Sequence, residues 1–344
     1  MHLRATLLAV LLTCAGVSSL VTRCEAPHSG DGPTLPHQAA TKLVAAVLTT
    51  DCGVEIDDQW ALAHLLLSPE LDLRAIVTTH ASSVHFSSAS SARTAADVLS
   101  RIVPTKAVSV PVAAGADLPL QDALTPRESS GLNLLLSLSR AFSDSRRLIV
   151  LSIGAATDVA SALLKDPSIE HRIIVVAMGF NDWPDGGDEF NIRNDPLAWQ
   201  VILSSRVPLV VGSSTASKQN LRLTRAEAAT VMRSHGATGA YLYGLLDDWL
   251  TRHADLAAQM VAPAAWVIWD EVVVAYALGL ARGDAVARPR LQPNLSFSHP
   301  TTTERITWIT RIDSDRLWRD FGAKIDARKD SATQASGDWR EQMP

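Results

Sequence analysis

The feature that most constrains this chain is a repeated alternation of short apolar runs and segments with helical periodicity. The apolar runs are rich in β-branched residues and occupy residues 44–48, 73–79, 108–113, 148–153, 173–178 and 207–211. Helical patterns lie between them, at residues 58–67, 90–103, 133–142, 157–164 and 196–203. Strands and helices that alternate in this way build a parallel sheet covered on both faces. We therefore predict an α/β protein with a mainly parallel, Rossmann-like sheet and helices on both of its faces.

The pattern becomes more helical after residue 220, with helices predicted at residues 225–234, 238–254 and 270–280. A short strand-like piece at residues 306–309 and a helix at residues 317–325 follow. We prefer a single domain over residues 41–328, and a separate C-terminal domain from about residue 222 is the alternative. Residues 329–344 are polar and are expected to form a frayed tail.

The first residues have the order of a targeting segment. A short basic region at residues 1–4 precedes an apolar run at residues 5–17, and small and polar residues follow. This order is typical of a secretory signal peptide, which we place at residues 1–26, before a linker rich in Pro and Gly at residues 27–40. The apolar run is shorter than a membrane-spanning helix requires. We expect export to the periplasm or the extracellular space, without stable insertion into a membrane.

Composition excludes several classes of protein. Apolar residues make up 47% of the 344 residues and charged residues 19%, so the chain can form a large core. The net charge of −5 argues against a nucleic-acid polymer as a partner. No disulfide framework is implied, because a signal peptide would remove Cys14 and also Cys24. Cys52 fits a small residue in a tight loop better than a nucleophile, because acidic neighbours raise the pKa of a thiol.

An acidic loop follows the first strand. Asp51, Glu55, Asp57 and Asp58 lie within eight residues, directly before an apolar helical pattern. Carboxylates so close together repel one another, and a hard divalent cation with oxygen ligands would hold them. Asp57 and Asp58 could instead cap the helix, which would account for one or two of the acids but not for four. The loop therefore favours metal or substrate binding at the carboxyl edge of the sheet.

Other strand ends carry distinctive residues as well. Gly154 closes the fourth strand, where a glycine lets backbone carbonyls approach a ligand. The fifth strand runs into a loop that ends in Glu189-Phe190-Asn191. Much later, Asp270 stands in front of an apolar helix.

Together these motifs resemble the inosine–uridine-preferring nucleoside hydrolase family over roughly residues 43–280. In that family the first strand ends in an Asp-x-Asp-x-Gly-x-Asp-Asp signature that holds a calcium ion. The matching residues of this chain are Asp51, Gly53, Asp57 and Asp58. The family's Glu-Phe-Asn stretch matches residues 189–191 without change, and its late Asp matches Asp270.

The resemblance implies calcium-dependent hydrolysis of the N-glycosidic bond of ribonucleosides, which gives ribose and free base. The implied calcium ligands are Asp51, Asp58, Asp270 and the backbone carbonyl of Ile153. Asp51, next to the attacking water, would also be the general base. The implied sugar-binding residues are Asp57, Glu189 and Asn191.

Two further residues are candidates for substrate contact because of their positions. His80 follows the second strand and is expected at the sheet edge, and a solvated loop histidine is the alternative. Trp183 lies in the loop before Glu189, where it could stack on a base or anchor the loop.

Three features depart from the family pattern. Thr49 stands where the first signature Asp is usual, the loop has two extra residues that include Glu55, and Trp269 replaces the His that usually precedes the late Asp. That His is the favoured proton donor to the leaving base in purine-accepting members. A non-catalytic, metal-assisted binder of nucleosides or sugars and a hydrolase of another glycoside therefore stay open. Because family members often associate, a homo-oligomer is a further expectation.

Overall fold

The computed structural model describes residues 43–106 and 109–337. The proposed signal peptide at residues 1–26 and the linker at residues 27–40 lie outside the described residues, as do residues 338–344.

The core of the protein is an eight-stranded sheet. Its strands are β1 (Val44–Thr50), β2 (Leu71–Thr78), β3 (Val112–Ala114), β4 (Leu148–Ser152), β5 (Ile173–Met178), β6 (Leu209–Gly212), β9 (Ala281–Ala287) and β12 (Arg305–Ile312). They lie in the order β3-β2-β1-β4-β5-β6-β12-β9. Every pair is parallel except β12 with β9, so the prediction of a mainly parallel sheet is confirmed. The order reverses between β1 and β4, and ligands bind at such a switch point in open α/β sheets.

Four short strands lie outside the main sheet. β7 (Arg222–Thr224) pairs with β8 (Ala265–Val267), and β10 (Arg290–Leu291) pairs with β11 (Phe297–Ser298), both antiparallel. The helices are α1 (Asp57–Leu67), α2 (Ser88–Ile102), α3 (Ser130–Ser139), α4 (Thr157–Lys165), α5 (Phe190–Asn194), α6 (Pro196–Ser204), α7 (Ser214–Asn220), α8 (Arg225–Ala228), α9 (Gly236–Arg252), α10 (Ala254–Met260), α11 (Glu271–Ala277) and α12 (Ser314–Gly337). Within the described ranges, none of these helices combines the length and the apolar character that a membrane crossing requires.

Both faces of the sheet are buried because successive strand residues point to opposite sides. Leu48, Leu151 and Val176 pack on one side, under a group of helices that includes α1, α2, α9, α11 and α12. Val47 and Val150 pack on the other side, under α3, α4 and α6. This two-sided burial explains why the strands appear as continuous apolar runs rather than as an alternating pattern.

Several element boundaries differ from the prediction. The third strand is only Val112–Ala114, because the N–H groups of Ser109 and Val110 both bond the Lys106 carbonyl in a turn. The helix predicted at residues 225–234 is α8 followed by a π-helical turn at Ala229–Arg233. The last helix begins at Ser314 and continues to Gly337, so the first part of the predicted tail is helical. The strand-like piece at residues 306–309 belongs to β12, inside the main sheet.

A buried ion-pair network joins α1 to α11 and α12. His64 Nδ1 lies 2.9 Å from Glu271 Oε2, and His64 Nε2 lies 3.1 Å from Asp320 Oδ2. Lys324 Nζ lies 2.6 Å from the same Asp320 oxygen, and the His64 ring stacks on Phe321 with centroids 4.1 Å apart. Burial disfavours the charged imidazole, but the Glu271 carboxylate and the two hydrogen bonds outweigh it, so the pKa of His64 is raised.

The raised pKa of His64 predicts a specific pH dependence of stability. Stabilisation from the protonated ring is fully present below the ordinary histidine pKa and is lost as pH rises through the folded-state value. Urea unfolding with a chelator present should therefore show that His64→Gln loses more stability at about pH 6 than at about pH 9. The control is Gln259→Ala, at an exposed position of α10 whose side chain does not titrate, and it should give no such difference. A pH-independent effect of His64→Gln would contradict this assignment.

Candidate active site

Four buried aspartates meet at the carboxyl edge of the sheet. Asp51 directly follows β1, Asp57 and Asp58 begin α1, and Asp270 directly precedes α11. Each is at most 5% exposed. Asp51, after the first strand, and Asp270, before a helix more than 200 positions later, thus lie at the same edge of the sheet.

Three of these aspartates form a compact group of oxygen atoms. Asp57, Asp58 and Asp270 each offer one carboxylate oxygen, and the three oxygens lie within 4.8 Å of one another. Thr50 Oγ1 donates a 2.5 Å hydrogen bond to Asp58 Oδ1 and so fixes one member. Neither Asp57 nor Asp58 is the N-cap of α1, because that position is Ile56, which makes no side-chain cap bond. Both acids still lie in the first turn of α1, where the helix dipole favours negative charge, but this does not account for Asp51 or for the approach of Asp270.

The electrostatics of the group favour a cation. Burial raises the pKa of Asp51 well above its usual range, and the Asp58 and Asp57 carboxylates raise it further. Burial and then Asp57 raise the pKa of Asp58 and of Asp270 in the same way. The pKa of Asp57 is raised by burial to about 6. Buried carboxylates that repel one another are stabilised by a hard cation, and the all-oxygen donor set fits one.

Gly154 lets Asp51 sit against the end of β4. A Cβ atom at Gly154 would lie 2.4 Å from Thr79 Oγ1 and 2.8 Å from both the amide nitrogen and Oδ1 of Asp51. The Ile153 N–H donates a 2.8 Å hydrogen bond to the Thr49 carbonyl, so residues 153–154 run beside the start of the acidic loop. Thr79 Oγ1 is buried without a hydrogen-bond partner in the described part of the chain. The position of Ile153 is thus compatible with its implied role as a carbonyl ligand.

The Glu-Phe-Asn motif lies at the same edge. Glu189 is the N-cap of α5, and its Oε2 accepts hydrogen bonds from the N–H groups of Asn191 (2.9 Å) and Ile192 (3.2 Å). Asn191 Nδ2 donates to the Met178 carbonyl at 3.3 Å, at the end of β5. Burial raises the pKa of Glu189 to about 7, although these N–H groups oppose the shift. Glu189 is close enough to the acidic loop to raise the pKa of Glu55.

His80 is buried, so the alternative of a solvated loop histidine is wrong, and Trp183 packs in a group of aromatic rings. The His80 ring is fully buried, its Nε2 lies 3.0 Å from Thr157 Oγ1, and its Nδ1 accepts from the Ser82 N–H at 3.2 Å. Burial lowers the pKa of His80, so its ring is neutral at physiological pH. Trp183 packs among Phe297, His299 and Trp308, with ring centroids 5.0–6.0 Å away. These contacts correspond to the loop-anchor alternative for Trp183 and use both ring nitrogens of His80.

Two side-chain contacts in the site could not be predicted from the sequence. Trp266 Nε1 donates a 3.2 Å hydrogen bond to Glu55 Oε2, which attaches the inserted acid to β8. Trp269 packs edge-on against Trp266, with ring centroids 6.5 Å apart. Cys52 is fully buried, and burial followed by the Asp58 carboxylate raises its pKa well above the usual range, as expected for a packed thiol rather than a nucleophile.

The fold and the site together define an α/β protein with a buried cluster of aspartates at the carboxyl edge of its sheet. The sequence profile of the family described as inosine-uridine preferring nucleoside hydrolase matches residues 46–319, so the chain belongs to this family. Its homologues are ribonucleoside hydrolases, and the chain is accordingly an enzyme that hydrolyses N-glycosyl bonds.

Similar proteins span most of the chain. The pyrimidine-specific ribonucleoside hydrolase RihA of Escherichia coli is 26% identical over 240 residues, covering 62% of this chain and 74% of that protein. RihA of Salmonella paratyphi A shows the same identity and coverage. A plant nucleoside hydrolase, PpNRh1, superimposes with a TM-score of 0.67 at 18% identity and covers 83% of this chain and 100% of its own. A purine-preferring ribonucleoside hydrolase from Gardnerella vaginalis gives 0.66 at 18%, covering 82% of this chain and 98% of its own. The two structural matches show the same fold.

The close approach at Gly154 gives a direct test of the site. Gly154→Ala would push Asp51 and Thr79 apart, and displacement of a reacting group by about 1 Å can cost on the order of 100-fold in rate. We expect ribose release from nucleosides to fall by about that factor. Gly244→Ala is the matched control, because its Cβ meets no heavy atom within 4 Å and it lies inside α9. That variant should keep its activity and gain up to about 1 kcal/mol of stability. Wild-type activity in Gly154→Ala would refute the proposed packing of Asp51.

Proposed function

We propose that this protein is a calcium-dependent ribonucleoside hydrolase, which converts a nucleoside and water into ribose and free base. The observation that carries this proposal is the convergence of the Asp57, Asp58 and Asp270 oxygens within 4.8 Å, beside Asp51, in a member of an N-glycosyl hydrolase family. Export at residues 1–26 and assembly into a homo-oligomer remain predictions from the sequence.

The proposed calcium ligands are Asp51, Asp58, Asp270 and the Ile153 carbonyl. Because Asp57 groups with Asp58 and Asp270, we add it to the proposed ligands. Carboxylate and carbonyl oxygens are the donors that calcium prefers, whereas zinc and copper sites recruit His or Cys. When bound, calcium would lower the pKa of a water molecule and hold two hydroxyls of the sugar.

The side chains of the protein have distinct proposed roles in the reaction. Asp51 accepts the proton of the water that attacks the anomeric carbon. Asp57 and Asn191 hydrogen-bond the ribose hydroxyls, and Glu189 binds the other side of the sugar. The transition state resembles an oxocarbenium ion, so the surrounding carboxylates stabilise its positive charge, and fixed groups of this kind contribute about 3–4 kcal/mol each.

The role of Asp51 can be tested with an isosteric change. Asp51→Asn keeps the size of the side chain but removes its basicity, so kcat should fall on the order of 100- to 10,000-fold. The measurement is reducing-sugar release from a panel that includes uridine and inosine, with calcium present. Asp248→Asn changes an exposed acid on α9 and should leave the rate unchanged. A rate near that of the wild type in Asp51→Asn would show that another group is the base.

Calcium binding can be measured separately from activity, by its effect on the melting temperature of the protein. A ligand that binds only the folded state at 100 times its Kd stabilises by about 2.7 kcal/mol, so calcium should raise Tm markedly. Asp270→Asn removes a charged member of the oxygen group and should abolish most of this rise, whereas Asp248→Asn should preserve it. A chelator should stop ribose release, and calcium should restore it. Equal stabilisation and equal activity with magnesium would contradict the assignment to calcium.

A further inference from the structure

One side of β9, the last strand in the order of the main sheet, has no strand beside it in the described part of the chain. Its other side pairs with β12. Gly283 and Ala285 are partly exposed, and Arg282 and Asp284 are exposed. An unpaired strand of this kind presents a row of backbone N–H and C=O groups, on which another strand can pair.

The hydrogen bonds at both ends of β9 show which of its residues face outwards. Directly after the strand, the Arg288 N–H donates to the Glu304 carbonyl, and directly before it the Asp313 N–H donates to the Leu280 carbonyl. Because every second residue of an antiparallel strand bonds the neighbouring strand, the even-numbered residues of β9 bond β12. The backbone N–H and C=O groups of the odd-numbered residues therefore point away from the sheet.

Two exposed side chains of opposite charge flank Gly283 on one face of β9. Arg282 lies directly opposite Arg311 of β12, and like charges at opposite positions of two strands repel each other. Asp284 accepts a 3.4 Å hydrogen bond from Thr310 Oγ1, which leaves its carboxylate open to a cation. A carboxylate next to Arg282 would relieve the repulsion, and a guanidinium next to Asp284 would pair with its charge.

A second β9 strand satisfies both requirements in one register. When two copies pair antiparallel about a two-fold axis at Gly283, their outward-facing residues meet and can form about six main-chain hydrogen bonds. Each Arg282 then lies opposite an Asp284 of the other copy. A slip of two residues in either direction places Arg282 opposite Arg282 or Asp284 opposite Asp284, and both arrangements are repulsive. The backbone and the charges therefore favour the same pairing.

We propose that two copies of this protein form a symmetric dimer, in which their main sheets continue into each other through paired β9 strands. Addition of a strand to an open sheet edge is a common mode of protein recognition. The inference does not rest on the proposed function, because β5, β6 and β12 lie between β9 and the end of β4, where Asp51 packs. Since the contact involves little more than one strand from each copy, the dimer dissociates reversibly on dilution.

Reversal of the two charges tests this pairing. Sedimentation equilibrium of the full chain should show a monomer–dimer equilibrium that salt weakens. Arg282→Asp and Asp284→Arg each place like charges opposite one another at both positions, so either should raise the Kd of the dimer at least about tenfold. An equimolar mixture of the two variants restores opposite charges at both positions, and mixed dimers should form with a Kd close to that of the wild type. Arg93→Asp, an exposed charge reversal on α2, should leave the Kd unchanged.

Amide hydrogen exchange locates the contact. The amides of Gly283 and Ala285 should exchange more slowly in concentrated than in dilute protein, and Arg282→Asp should remove this difference. A chain that stays monomeric, a Kd unaffected by both single variants, or a mixture that does not dimerise would each overturn the inference. Exchange at these two amides that is the same in monomer and dimer would also overturn it, because the copies would then meet at another surface. None of these results bears on ribose release, so the proposed function is tested separately.

Discussion

Mutual repulsion among buried carboxylates is the constraint on which the rest of this structure depends. Asp51, Asp57, Asp58 and Asp270 are all at most 5% exposed, and burial disfavours the charge of each. Such a group persists only if rigid elements hold its members in place and its negative charge is offset, by protons or by a cation. The parallel sheet holds Asp51 in place, because β1 and β4 end side by side and Asp51 packs against Gly154. The ion pairs of His64 hold α1, which contains Asp58, against α11, which follows Asp270, and against α12.

The sequence predicted the sheet, and it predicted polar residues at one edge of that sheet, for physical reasons that can be identified. Strands buried on both faces are continuous apolar runs, and parallel strands place their carboxyl ends at one edge, so Asp51 and Glu189 were expected near each other. Asp270 could be associated with them only through resemblance, because no periodic pattern reveals which distant helix reaches that edge. The approach of Gly154 to Asp51 also depends on side-chain geometry that spacing alone does not contain.

Other residues were harder to place because local sequence does not determine their tertiary contacts. Trp183 stands in a polar loop, yet its ring is held by Phe297 and Trp308 from the C-terminal third of the chain. His80 follows a strand, where an exposed position is expected, but it is buried and lies against Thr157 of α4. The bond between Glu55 and Trp266 joins residues 211 positions apart. Each of these contacts joins segments that are far apart in the sequence. The periodic pattern of one segment does not show which distant segment packs against it.

The position of β12 has a consequence for how the polypeptide acquires its shape. This strand lies between β6 and β9, so the edge of β6 is covered only after residues 305–312 have left the ribosome. Asp320 and Lys324 then join α12 to α1, through His64 and through Ser68 at the C-terminal end of α1. Nearly the whole chain must be synthesised before its central layer is complete, and until then an apolar, unpaired backbone edge stays open. A nascent chain of this kind stays open to pairing with other chains at that edge until late in translation.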